Sequence, residues 1–203
     1  ELRTPLAGIR AQAQVAMGST TPETHRRALE SVIIGCDRAT RLVEQLLVLA
    51  RLDAASKTET TSVELRALTA ETLADLAPAA VAKNIELALL DGLAVTVEGQ
   101  DGLLRVLVRN LVDNAIRYCP SVSTVELSVA HEGPRAVLTV VDNGPGISES
   151  EREKVLDRFY RVLGTGEEGS GLGLSIAERV VERHAGRLEL NPSPTGAGLE
   201  VRV

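Results

Sequence analysis

The stretch Arg109-Asn110-Leu111-Val112-Asp113-Asn114-Ala115-Ile116-Arg117-Tyr118 decides how this chain is read. Its apolar residues recur at helical spacing, so it closes an amphipathic helix expected over about 101–118. Asn110 and Asn114 are four apart and share one face of that helix. Carboxamides on a helix otherwise rich in Leu and Val need polar partners, and a carboxamide oxygen is a suitable hard ligand for Mg²⁺. Taken alone, the pair is equally compatible with two asparagines at the solvent boundary.

Toward the C-terminus, Asp142-Asn143-Gly144-Pro145-Gly146 follows the β-branched run Val137–Val141. An acid leaving a covered strand can accept a hydrogen bond from an exocyclic amine. Gly144 and Gly146 let the backbone turn tightly beside a ligand, although the same letters also spell an ordinary turn. Further on, Gly169-Ser170-Gly171-Leu172-Gly173-Leu174-Ser175 opens an amphipathic helix. Glycines entering a helix N-terminus expose amides at the positive end of the helix dipole, which suits phosphate; a flexible hinge is the alternative. No Gly-Lys-Ser/Thr follows, so this is not a Walker loop, and the spacing differs from a dinucleotide fingerprint.

Between these loops lie Ser148-Glu149-Ser150-Glu151, which has the pattern of a capping box, and Arg158-Phe159-Tyr160-Arg161. A long segment between two ligand-facing loops reads as a lid. Arg158 and Arg161 either reach phosphate oxygens from it or lie on a solvated surface, and Phe159, the only Phe, is expected to pin it down.

Toward the N-terminus, Leu2, Leu6, Ile9, Ala13 and Ala16 form a stripe at heptad spacing, broken at Gly18-Ser19-Thr20. Thr21-Pro22-Glu23 reads as an N-cap, a first-turn proline and a first-turn acid. A second stripe then runs through Leu29, Val32/Ile33, Cys36, Ala39, Val43, Leu46/Leu47 and Ala50. Two long helices joined by a tight break form an antiparallel hairpin. A lone hairpin cannot bury both stripes, so a homodimeric four-helix bundle through residues 1–52 is expected, with packing on the rest of the chain as the alternative. Asp53–Ser62 is polar and aperiodic and reads as a linker. Beyond it, helices near 66–82, 101–118 and 173–184 alternate with strands near 85–90, 94–98, 123–131, 135–141, 186–191 and 198–203. The fold class is therefore α+β: a helical hairpin over 1–52, a linker over 53–62, and a two-layer α/β sandwich over 63–203.

Composition narrows the function. Net charge is −6 and aromatic residues make up 1% of 203 residues, so nucleic acid is not an expected partner. The two cysteines, Cys36 and Cys119, sit in apolar helical runs and are expected as reduced, buried thiols. No apolar run approaches the ~18 residues needed to span a membrane, so this stretch is expected to make no membrane contact. Opening in mid-helix, Glu1-Leu2-Arg3 reads as part of something longer.

In this order, the segments resemble the N, first glycine, F and second glycine boxes of the bacterial sensor histidine kinase catalytic domain, within the GHKL (Bergerat-fold) ATP-binding superfamily. Glu1-Leu2-Arg3-Thr4-Pro5-Leu6 is similar to the H-box of those kinases without its first letter, the phosphorylated histidine. The resemblance covers essentially the whole chain. It implies ATP and Mg²⁺ as cofactors, with Asn114 holding the metal and Asn110 supporting the same face. Arg117 and Tyr118 would lie beside the phosphates and nucleoside. Asp142 would bind the adenine amine, with Gly144 and Gly146 shaping that wall. Gly169, Ser170, Gly171, Leu172 and Gly173 would present backbone amides to phosphate, and Arg158 and Arg161 would come from the lid. Glu1 would act as general base toward a histidine directly preceding it, Thr4 would orient water in any dephosphorylation, and Pro5 would bend the first helix.

GHKL ATPases of the gyrase type carry a glutamate one turn before the metal-binding asparagine; here Asn110 stands there and cannot accept a proton, which favours transfer over hydrolysis. His25, His131 and His184 lack the H-box context and read as structural or surface residues. The resemblance implies the cytoplasmic part of a membrane sensor that passes its phosphoryl group to an aspartate of a response regulator receiver domain. Read as it stands, the chain is expected to bind ATP without autophosphorylating. A GHKL serine kinase of the anti-sigma-factor type and a non-enzymatic nucleotide-binding scaffold are the other readings.

Overall fold

A computed structural model describes residues 3–53, 60–162 and 169–203, which divide into two compact units, Glu1–Asp53 and Ala54–Val203.

The first unit is a helical hairpin, α1 (Arg3–Gly18) and α2 (Pro22–Asp53). Thr21 caps α2 by accepting the Thr24 backbone N–H at 3.3 Å, and Pro22 occupies the first helical position, where its missing N–H costs nothing. Glu23 pairs with Arg26 and Arg27 in the first turn. Nδ1 of His25 bonds the Ala16 carbonyl at 3.0 Å and ties the break together. Ala16, Ala28, Leu42 and Leu49 are buried, with Ile9, Ala13, Val32 and Ala39 half-buried. At Gly35 the helices approach so closely that a Cβ would stand 2.6 Å from Ile9 Cγ1. The inner seam of α2 thus includes 28/32/35/39/42/49, which shares Val32 and Ala39 with the stripe read off the sequence and otherwise lies one residue before it. Leu29, Ile33, Val43 and Leu47 of that stripe are exposed. Cys36, expected buried, is exposed with them, because a single hairpin covers only one of the two apolar faces of α2.

The second unit follows as β1 (Thr61–Glu64), α3 (Leu65–Ala82), β2 (Ile85–Leu89), β3 (Thr96–Gly99), α4 (Asp101–Tyr118), β4 (Ser123–Glu132), β5 (Arg135–Asp142), a short helix α5 (Glu149–Arg152), a 3-10 turn Lys154–Leu156, α6 (Gly173–Arg183), β6 (Glu189–Pro192) and β7 (Leu199–Arg202). The expected linker is shorter at both ends than 53–62: Asp53 closes α2, and Thr61–Ser62 already belong to β1, which pairs antiparallel with β3. The remaining strands form one mixed sheet in the order β2-β4-β5-β7-β6, parallel only between β2 and β4.

Strand alternation explains the layering. Val125, Leu127 and Val129 of β4 and Leu138 and Val140 of β5 are buried, whereas Thr124, Glu126 and Ala130 between them are exposed. The helices carry the other half of the core, with Leu107, Val108, Leu111 and Val112 of α4 and Ile176, Ala177, Val180 and Val181 of α6. Truncating a fully buried residue here, such as Leu127 to Ala, would cost ~2–5 kcal/mol. Helix α4 packs against both α3 and α6 and so lies between them in the helical layer. None of the described helices is long and apolar enough to cross a membrane.

Candidate functional site

Helix α4 sets the frame. One side of it is buried in the core, and Asn110, Asp113, Asn114, Arg117 and Tyr118 line its half-buried margin. Nδ2 of Asn110 donates to the Val106 carbonyl at 2.7 Å, a contact within its own helix. Asn114 differs: its Nδ2 is buried without a hydrogen-bond partner among the described residues. A buried unpaired amide atom costs ~1–3 kcal/mol unless something occupies the position it faces. The N and O of a carboxamide can exchange places by rotation, so the same position can offer a carbonyl oxygen to a cation.

The second glycine segment packs onto this margin. A Cβ at Gly173, the first residue of α6, would stand 2.9 Å from both amide atoms of Asn114. One at Gly169 would stand 2.7 Å from Arg117 Nη1 and 3.6 Å from the Tyr118 hydroxyl. Leu172 is fully buried and anchors the segment, and the Ser170 hydroxyl accepts the Leu172 N–H at 3.3 Å. Residues 163–168, just before it, lie outside the described residues.

Gly171 meets the base of the expected lid. It has φ +69, a left-handed conformation suited to glycine, and a Cβ there would stand 2.6 Å from the Phe159 carbonyl carbon and 2.7 Å from the Tyr160 oxygen. The Phe159 N–H donates to the Gly171 carbonyl at 2.9 Å. The Phe159 backbone therefore pins the segment, and the residue as a whole is 39% exposed. Its own φ is +66, a costly conformation for a bulky residue that the surroundings must hold in place. Ser148 stands at the N-cap of α5 without a side-chain cap bond, so the capping box does not form. Glu151 is drawn away from it, accepting the Tyr160 hydroxyl and pairing with Lys154. Arg158 and Arg161 are exposed and flank the Phe159–Tyr160 pair that touches Gly171.

Asp142 closes β5. Its Oδ1 accepts the N–H of Gly144 at 2.8 Å and that of Leu199, on β7, at 3.2 Å. Burial pushes its carboxyl above its ordinary value, while those two amides and the Cys119 thiol pull it back. A Cβ at Gly144 would stand 3.0 Å from Asp142 Oδ1 and 3.3 Å from Cys119 Sγ, so three groups crowd one point. Gly146 lies 2.7 Å (from a built Cβ) from the Gly198 carbonyl, and a Cβ at Gly198 would overlap the Asp142 carbonyl oxygen. Gly144, Gly146 and Gly198 thus let the turn after β5 and the loop before β7 lie backbone on backbone.

The sequence reading missed Cys119 and the Gly198–Leu199 step as parts of this site. The Gly196-Ala197-Gly198 spacing before a strand was the available signal for the second; none marked the first. Thr4 lies on α1 and Glu1 lies outside the described residues, as does the Thr4 side chain. Nε2 of His184 accepts the Gln100 N–H at 3.1 Å, so Nδ1 carries the proton and donates to the Val180 carbonyl at 2.7 Å. His131 is exposed.

Separated segments thus adjoin: a polar helix margin with an unpaired amide, a glycine-rich helix N-terminus against it, a clamped segment on Gly171, and, past Cys119 at the end of α4, a carboxylate on a glycine turn. Comparison with known proteins finds relatives along the chain. Residues 99–203 match the family described as histidine kinase-, DNA gyrase B-, and HSP90-like ATPase, and residues 1–55 match the His Kinase A (phospho-acceptor) domain. The sensor protein kinase PmrB of Pseudomonas aeruginosa is 45% identical over 205 residues, covering all of this chain and 43% of that protein. The structure of the cytoplasmic segment of histidine kinase QseC is 32% identical, with a TM-score of 0.55 over 82% of this chain and 91% of that one. Full-length ShkA in complex with AMPPNP is 26% identical, with a TM-score of 0.71 over 98% of this chain and 42% of that one. The chain therefore spans under half the length of the curated relative it matches.

Proposed function

Since the chain belongs to the sensor histidine kinases, with their histidine kinase-, DNA gyrase B- and HSP90-like ATPase domain, we propose that it binds ATP with Mg²⁺ and transfers the γ-phosphoryl group to a histidine. The observation that carries this is the Asn114 amide, buried and unpartnered against the glycine that opens α6. A hard oxygen donor beside a helix N-terminus is the setting in which a metal–triphosphate is held from both ends. The residues fit Mg²⁺, and Asn114 would hold it. When bound, the ion neutralises charge on the terminal phosphates.

The chain's own residues do the rest. Asp142 would accept the adenine amine. The amides from Gly169 through Gly173 would meet the phosphates, with Arg117 and Tyr118 beside them and Arg158 and Arg161 reaching from the segment above. Asn110 spends its Nδ2 on Val106 and carries no basic group, so the site is suited to holding ATP without activating water. The base would come from Glu1, next to a histidine preceding it, and Thr4 would serve any reverse, hydrolytic step. The match of residues 1–55 to a phospho-acceptor domain favours this over a serine kinase of the anti-sigma-factor type.

The exposed stripe Leu29, Ile33, Val43 and Leu47 supports a homodimer closing a four-helix bundle. The relatives' names, sensor protein kinase among them, support a sensor as the parent protein; an aspartate of a response regulator receiver domain would be the next acceptor, and the parent would sit in a membrane. The test is calorimetric titration with AMP-PNP, with and without Mg²⁺, beside Asp142→Asn and Asn114→Ala. Mg²⁺-dependent binding that both substitutions abolish is expected. A folded chain that binds no nucleotide would refute the kinase reading.

A further inference from the structure

The last turn of α4 brings Arg117 and Tyr118 to the glycine segment, and a helix end is where side chains are held least firmly, because it frays. The last four carbonyls of a helix have no partner within it. One of them, that of Arg117, accepts a hydrogen bond from Nζ of Lys83, the residue that caps α3. The ammonium also stands at the negative end of the α4 dipole, where a cation is favoured. At the other end of the same residue, a Cβ at Gly169 would stand 2.7 Å from Arg117 Nη1 and 3.6 Å from the Tyr118 hydroxyl. Arg117 is thus held by its carbonyl while its guanidinium lies against the glycine segment.

Lys83 is itself braced. Its N–H donates to the Ala80 carbonyl at 3.0 Å, and its carbonyl accepts the Ser121 hydroxyl at 3.0 Å. Asn84, the next residue, takes φ +56, a left-handed turn that Asn tolerates, and its carbonyl accepts the Val122 N–H at 3.1 Å. Val122 has φ +65, costly for a β-branched residue, and its side chain is exposed. The bond to Asn84, rather than packing of that side chain, is what favours the conformation. Side chain and backbone alike therefore tie the end of α3 to the end of α4.

We propose that Lys83 is a positioning residue for nucleotide binding: by holding the Arg117 carbonyl it keeps the Arg117 guanidinium against the glycine segment, where the phosphates of ATP would lie. The inference rests on the reading of this site as one for ATP. Lys83 lies 34 positions before Arg117, at the end of another helix, and needs no contact with nucleotide to act. An arginine side chain is long, and a last turn free to fray would spread its head over many positions. A guanidinium already in place meets a phosphate oxygen without first losing that freedom. Lys83 thus contributes to nucleotide affinity through Arg117, and to stability as a cap in its own right.

The test is a double-mutant cycle of Lys83→Met, which keeps much of the side chain's length without the donor, with Arg117→Ala. Arg117→Ala leaves the carbonyl that Lys83 bonds, so the cap is the same in both backgrounds. Calorimetry reads Mg-AMP-PNP binding, and a thermal melt reads the fold. With Arg117 present, Lys83→Met should weaken binding about 5–10-fold, since a misplaced guanidinium forfeits part of a charge-assisted bond. In the Arg117→Ala background the same change should cost less than about 2-fold, while the melt falls alike in both. Lys83→Gln, shorter and uncharged, replaces Lys83→Met if the latter does not fold, and Arg117→Lys replaces Arg117→Ala if that variant binds no nucleotide. Wild-type affinity in Lys83→Met would make Lys83 a cap for the fold alone, and equal losses in both backgrounds would mean that it acts without Arg117. Either result overturns the inference and leaves the ATP reading intact. No nucleotide binding by the wild type would overturn both.

Discussion

Gly173→Ala separates the fold from the site. The added Cβ would stand 2.9 Å from Nδ2 and from Oδ1 of Asn114 and 3.3 Å from its Cγ. That is about half an ångström short of ordinary van der Waals contact. Every atom it meets belongs to one side chain, so the backbone can stay in place while Asn114 rotates away. An off-rotamer side chain costs ~0.5–1.5 kcal/mol, and Ala returns up to ~1 kcal/mol of helix propensity relative to Gly. Stability should therefore change by less than about 1 kcal/mol, a shift of about 2–4 °C for a unit of this size.

Binding should respond differently. Mg²⁺ demands near-ideal geometry at ~2.0–2.1 Å, so a half-ångström displacement of Asn114 forfeits its bond. We expect Mg-AMP-PNP to bind at least ~10-fold more weakly, ~1.4 kcal/mol, with metal-free nucleotide affected far less. Calorimetry with and without Mg²⁺, beside a thermal melt, reads both quantities. Gly173→Ala and Asn114→Ala should be strongly non-additive, since both act on one group. Wild-type Mg-nucleotide affinity in Gly173→Ala, or additive losses in the pair, would refute the reasoning.

Other outcomes follow from the same geometry. Gly171→Ala places a Cβ among the backbone atoms of Phe159 and Tyr160 at φ +69, so the clamp should open at a cost of ~1–2 kcal/mol from the left-handed conformation alone; limited proteolysis should cut near Phe159, and unchanged protection would contradict the clamp. Asp142→Asn should abolish nucleotide binding yet leave the fold equally or more stable at neutral pH. The raised carboxyl favours the fold only while protonated, and that advantage fades as pH rises from the ordinary ~3.9 through the higher folded value; melts from pH 4 to 8 should show the variant's relative stability rising with pH. Ile33→Asp puts a charge into the exposed stripe, where burial of each Ile is worth ~1.5–3 kcal/mol, and light scattering should show monomers for the variant beside dimers for the wild type.

Periodic signals made the long elements legible. The helix expected over 101–118 is α4, and those expected over 66–82 and 173–184 differ from α3 and α6 by one residue. Strand β1 was not legible, because Thr61–Glu64 is short, half polar and continuous in composition with the segment before it. Cys36 and Cys119 illustrate the same limit from two sides. Both sit in apolar runs, but one lies on the uncovered face of a hairpin and the other beneath a glycine turn. Ser148 spells a capping box, yet its Glu151 is claimed by Tyr160, nine residues on.

By itself the sequence determined which residues share a face, where the long helices of the second unit start and stop to within a residue, and which letters are unusual: Asn110 and Asn114 one turn apart, Asp142 leaving a strand, glycines opening a helix. These follow from local rules, in which each residue's conformation depends on near neighbours and on the 3.6- and 2-residue periods. Only the tertiary structure decided which face meets which. It set Asn114 against Gly173, Gly171 against Phe159, and Cys119 and Leu199 against Asp142. Those contacts join residues up to 59 positions apart, and they arise when two layers close over a shared core, which no local period encodes.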